Sequence, residues 1–184
     1  GLVGSEMCIR DSQCAAGNES NDDAIFYSHD INSGVSGFNK INLQSEDSID
    51  ISQLSMDGKN GLKDYEQSLN YERKVKVIRL DEYLNKRNID HVNLLKIDTQ
   101  GFEPQVLEGL GKRLADVDIV ITELMFYDFY ERSLSFSDLE EFLLPAGFQL
   151  YDISHIAKNP MNGRTDWVDV IYVNNRLRSG GRNV

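Results

Sequence analysis

One short stretch constrains this chain more than any other: an apolar run that stops on an acid, turns at a glycine and restarts as an amphipathic stripe. NLLKID (93–98) has the length and composition of a buried strand, and Gly101 supplies the turn. Beyond it Phe102, Val106, Leu110 and Leu114 recur at i, i+4, i+8 and i+12, which makes one helix face continuously apolar. Pro104 falls in the first turn of that helix, where a missing N–H costs nothing. A strand that feeds a helix this directly must share a core with it, so the chain is expected to be α/β.

The flanking pattern extends the same scheme. KVKVI (74–78) alternates charged and apolar residues as a half-exposed strand does, and LDEYLNKR (80–87) follows as a short helix. DIVITEL (118–124) reads as a second buried strand. Ser137 and Glu140 have the spacing of a capping box opening a helix over 138–144, which Pro145 and Gly147 end. FQLYDI (148–153) and WVDVIYV (167–173) are strands joined by a polar loop with no helix, which favours an antiparallel closing pair on a mostly parallel sheet. Upstream the signal thins. AIFYS (24–28) reads as a strand, but Ser, Asn, Asp and Gly dominate residues 32–70, where long and partly disordered loops are expected.

The ends are expected to stand apart from the domain. GLVGSEMCIRDS (1–12) resembles the conceptual translation of a sequencing-adapter remnant and lacks the pattern of a signal peptide. It is read as a non-native leader, 13–175 as a partial domain, and 176–184 as a fraying tail.

Charge narrows the partners. The formal charge is −11, and residues 1–70 carry 12 acidic and 4 basic side chains. Such a field repels phosphate backbones and anionic lipid, so neither nucleic acid nor membrane is expected as a partner, and neutral sugars or alcohols stay open. No apolar run approaches the roughly 20 residues that span a bilayer. Cys8 and Cys14 have no secretory context and read as reduced thiols, in keeping with a cytoplasmic protein. Two cysteines with His29 fall short of a zinc ligand set, so no metal is expected.

In open α/β sheets ligands bind beyond the carboxyl ends of the strands. That rule selects Asp98 to Glu103, Glu123 with the cluster Met125, Phe126, Tyr127, Phe129 and Tyr130, and His155. Asp98 reads equally as a turn residue, with Gly101 relieving backbone strain. Glu123 is more telling, because a carboxylate at the end of a buried strand needs a partner or a ligand. The aromatic cluster is more often core than platform, and a lone loop histidine is usually solvated. Two phosphate-binding readings fail. Asp98 to Gly101 has the DxxG spacing of GTPases, but no GxxxxGK[ST] loop precedes it. The internal GxG at Gly109 and Gly111 sits at a helix C-terminus, where glycine is an ordinary stop signal.

LLKIDTQGFEPQVLEGL (94–110), with Lys96, Ile97, Asp98, Gly101 and Glu103, resembles the strand-turn-helix signature of the FkbM-type methyltransferases. The run ITELMFYDFYERSLSFSDLEEFLLPAGFQLYDIS (121–154) and the closing DVIYVN (169–174) are similar to that family's downstream blocks, and AAGNES with AIFY more loosely to its upstream stretch. The resemblance implies a Rossmann-like class I methyltransferase sheet and S-adenosylmethionine as cofactor. It implies Asp98 and Gly101 on the cofactor side, and Asp98, Glu103 and Glu123 as catalytic candidates, with Glu103 or Glu123 orienting the acceptor or taking its proton. The family's Asp-x-Gly-Ala-Asn type cofactor loop is missing, so the domain is expected to be N-terminally truncated and inactive by itself. Gln100 stands where many members carry Glu. The complete enzyme is expected to O-methylate a hydroxyl of a sugar or other small metabolite. The alternative is a catalytically inactive binding module, or an accessory domain of a glycan-modifying protein.

Overall fold

The computed structural model describes residues 11–29, 33–45, 69–132, 134–160 and 162–179. Most of the expected leader, Cys8, most of the loop-rich stretch over 32–70 and the end of the tail lie outside the described residues.

Two sheets form. Strands β1 (Ala15–Ala16), β2 (Asn21–Ser28) and β3 (Tyr71–Ile78) make a small sheet in the order β1-β3-β2, and helix α1 (Leu80–Lys86) follows it. Strands β4 (Val92–Ile97), β5 (Val117–Met125), β6 (Phe148–Lys158) and β7 (Thr165–Asn174) make the larger sheet, in the order β4-β5-β7-β6. Helix α2 (Glu103–Leu110) runs into a 3-10 turn (Gly111–Asp116) between β4 and β5, and α3 (Phe136–Leu143) lies between β5 and β6.

The mixed α/β class stands, but the expected mostly parallel sheet does not. Among the described residues only β4 with β5 and β1 with β3 pair in parallel; β2–β3, β5–β7 and β6–β7 are antiparallel. The cause is the loop 159–164, too short for a crossover, which forces β7 back along β6. The closing strand then slots between β5 and β6 instead of capping the sheet. β7 alternates strictly between buried and half-buried residues, whereas β6 is exposed over most of its length.

The core lies on one face of the larger sheet. Val120 and Leu124 of β5 and Val168, Val170 and Tyr172 of β7 point to it at the two-residue period. Val106, Leu107 and Leu110 of α2 and Leu139 and Leu143 of α3 cover them, each at most 2% exposed. The helix stripe expected from 102 to 114 is therefore real, although Leu114 belongs to the 3-10 turn. Gly109 is required there: a Cβ would stand 2.0 Å from the Gly17 carbonyl, so α2 touches the backbone just past β1 and joins the two sheets.

Three local expectations are corrected. Helix α3 is opened by Ser135 and Asp138, not by Ser137 and Glu140: the Ser135 amide donates to Asp138 Oδ2 at 2.8 Å. Phe136 packs against Phe126 at 6.1 Å between centroids, which draws the helix start two residues earlier. Past Asn174 the chain forms a short helix, Asn175–Ser179, whose Arg176 binds the nearly buried Asp118 at 2.7 Å. Residues 33–45, expected to be loop, carry a 3-10 turn (Ser33–Val35) and bridges from Gly37 to Tyr27 and from Ile41 to Tyr130. They pack across the turn that follows β4.

Candidate active site at the ends of β4 and β5

The turn after β4 is shaped by two consecutive left-handed residues, Gln100 at φ 55° and Gly101 at φ 87°. Glycine adopts that conformation freely, and a Cβ at Gly101 would also press within 2.8 Å of Asn39 Nδ2. Asn39 donates to the Gln100 carbonyl at 3.3 Å, which holds the turn from outside. Gln100 in turn donates from Nε2 to Asp98 Oδ1 at 2.9 Å, and accepts from the Tyr130 hydroxyl at 2.8 Å. Asp98 is 44% exposed and also pairs with Lys96 at 3.4 Å. Its carboxylate thus faces the rim, oriented by its own strand and turn.

Glu103 is almost fully buried, at 1% exposure. Its Oε1 accepts from the Thr99 amide at 2.9 Å and the Thr99 hydroxyl at 3.2 Å, tying the first residue of α2 to the turn before it. Phe102, the N-cap, supplies no side-chain cap of its own. Burial pushes the Glu103 carboxyl up, and the amides of its own turn with the Thr99 hydroxyl pull it back. Its Oε2 meets no donor. A buried carboxylate oxygen without a donor is costly unless a ligand or water meets it.

Glu123 sits on the second face of β5, opposite Asp169 of β7. Burial first, then the nearby charges of Asp98, Glu103 and Asp169, raise its carboxyl to about 7, against a small opposing pull from Lys96. Glu103 and Glu123 line a common gap with Gly101, Met125, Tyr127, Tyr130, Arg132 and Leu134. Its free volume is ≈ 10 Å³, about the room of one water molecule.

Asp98, Gly101, Glu103 and Glu123 therefore converge at one edge. His155 does not reach them: it pairs across β6–β7 with Asp169 and stacks on Trp167 at 4.7 Å. Two strand spacings, roughly 10 Å, separate it from Glu123. Tyr127, Phe129 and Tyr130 are core, clustered with Ile41 and Leu69, while Phe126 is exposed. Asp169 and Arg132 were not singled out in the sequence. The signal for Asp169 was an acid inside the apolar strand WVDVIYV; a loop arginine such as Arg132 carries none. Among the described residues, no three His, Cys, Asp or Glu side chains gather in a way that could hold a metal, and no helix is long and apolar enough to cross a membrane.

The gap at Glu103 and Glu123 does not fit a nucleoside-sized cofactor. The gap beside the two glutamates admits one water, and among the described residues no glycine-rich turn offers a row of amides to it. What they do form is one acidic edge of a site, with a carboxyl poised near neutrality.

In open α/β sheets ligands bind beyond the carboxyl ends of the strands, and Asp98 and Glu103 follow β4 at such an end, with Glu123 near the end of β5. The sequence model of the Methyltransferase FkbM domain matches residues 5–150, and this chain belongs to the FkbM methyltransferase family. No curated protein and no solved structure matches it.

Proposed function

We propose that this domain serves a methyltransferase that moves the methyl group of S-adenosylmethionine to a hydroxyl of a sugar or other small metabolite. Asp98 and Gly101 stand at the donor-side edge. Acceptors are small molecules or glycans in the cytoplasm, not nucleic acid or membrane. The single observation that carries the reading is Glu123, a carboxyl raised to about 7 beside a gap the size of one hydroxyl. A base is most effective when its pKa lies near the working pH. Glu123 accepts the acceptor's hydroxyl proton, and Glu103 fixes the turn on which Asp98 stands.

The test is to incubate the intact protein with S-adenosylmethionine and a panel of sugars and hydroxy acids, and to read products for the mass of one added methylene. Glu123→Gln should lower kcat about 100-fold, the usual scale for a general base. In the native enzyme kcat/KM should rise with pH through about 7, as Glu123 loses its proton. Full activity in the glutamine variant, or a flat profile, would overturn the base assignment.

A further inference from the structure

The gap beside Glu123 is walled by two glutamates, yet its lining also includes Arg132. Arg132 is exposed, and no carboxylate pairs with it among the described residues. The acid that feels its charge, Asp138, is already taken by the Ser135 amide and hydroxyl in the cap of α3. Lys96, another cation near the site, is paired with Asp98, and Arg164, which lies over the Tyr127 ring, is paired with Asp166.

Arg132 is also held in place. With its amide turned to satisfy both neighbours, Gln105 of α2 accepts from Arg132 Nη1 at 2.7 Å and donates to the Phe102 carbonyl at 3.3 Å. The Arg132 carbonyl lies 3.8 Å from the Cβ position of Gly101, so its backbone abuts the signature turn. A guanidinium braced on Gln105, on a residue that lines a gap whose base takes a hydroxyl proton, is suited to gripping an oxyanion.

We propose that Arg132 is the acceptor-reading residue of this site. It binds a carboxylate or phosphate carried by the acceptor, so the acceptors are anionic hydroxyl compounds, sugar acids or sugar phosphates, rather than neutral sugars. This rests on the methyltransferase reading for the meaning of "acceptor", though not for the binding itself. The chain's charge of −11 does not oppose it at contact range, because salt screens distant charges within about 8 Å under physiological conditions.

The experiment titrates the intact protein, without donor, with glucuronate, glucose 6-phosphate and glucose, following side-chain NMR signals of Arg132 and Glu123. At least one anionic sugar should bind about 10-fold or more tighter than glucose, the scale of one charge-assisted contact. Which one binds tells carboxylate from phosphate. Arg132→Gln should reduce that binding to the glucose level, Arg132→Lys should retain part of it, and Gln105→Ala should weaken it about 3-fold by freeing the guanidinium. Equal binding of glucose and its acids, or unchanged acid binding in Arg132→Gln, overturns the proposal. Arg132-dependent binding with no methylated product from any acceptor would refute the methyltransferase reading and leave this one standing. Methylation of neutral glucose that ignores Arg132→Gln would do the reverse.

Discussion

The two faces of the larger sheet are built from the same strands and have opposite characters. Along β5 and β7, Val120, Leu124, Val168, Val170 and Tyr172 face the helices and are at most 3% exposed. Their immediate neighbours Ile119, Ile121, Glu123, Asp169 and Ile171 face the other way and stay half-buried. A period of two residues therefore separates the residues that hold the molecule together from those that give it chemistry. Acidic groups can collect at Glu123 and Asp169 because the second face does not seal them in apolar surroundings, while partial burial still raises the Glu123 carboxyl.

The sharpest way to break this comparison is to cut equal volumes from both faces. Leu143→Ala, on the helix side, should cost about 2–5 kcal/mol by leaving a cavity, whereas Ile171→Ala on the open face should cost only about 1 kcal/mol. Urea unfolding checks it; equal losses would show that both faces are core. Gly109→Ala comes next. Its Cβ would overlap the Gly17 carbonyl, so about 1–3 kcal/mol of overpacking should appear in thermal melts, with the small sheet loosened first by hydrogen exchange.

The charged face yields a pH signature. A carboxyl raised from 4.5 to about 7 by folding holds its proton more tightly in the native state. Its contribution to stability is complete below the unfolded value and is lost as pH rises from about 4.5 to about 7. Allowing for partial exposure, Glu123→Gln should flatten that decline by about 1–2 kcal/mol in unfolding free energies measured from pH 4.5 to 8. An unchanged slope would mean that Glu123 is an ordinary surface acid. The smallest effect belongs to the helix side: Ser135→Ala should cost about 1 kcal/mol, and Ser137→Ala almost nothing.

The parts of the fold that depend on local pattern were legible. The β4-turn-α2 unit, β5 and β7 announce themselves by apolar runs and by the stripe from Phe102 to Leu110. The insertion of β7 between β5 and β6 was not, because register across a sheet is set by partners far away in sequence. The helix cap was misread for a smaller reason: serines at 135 and 137 both precede an acid by three positions, and packing of Phe136 chose between them. In the site, Asp98, Glu103 and Glu123 could be found from strand ends alone. Arg132 could not, since only Gln105 and the shared gap give it a place.

The segment 33–45 has a consequence for how the molecule comes together in time. The Tyr130 hydroxyl reaches the Val35 carbonyl across 95 positions of sequence, and Asn39 reaches Gln100 across 61. Contacts of such high order form slowly, since a long loop must close before any of them is rewarded. Strand β4 and helix α2 need only each other and their neighbours in the chain. The left-handed pair between them depends on a strap from the far end, so the site matures after its scaffold.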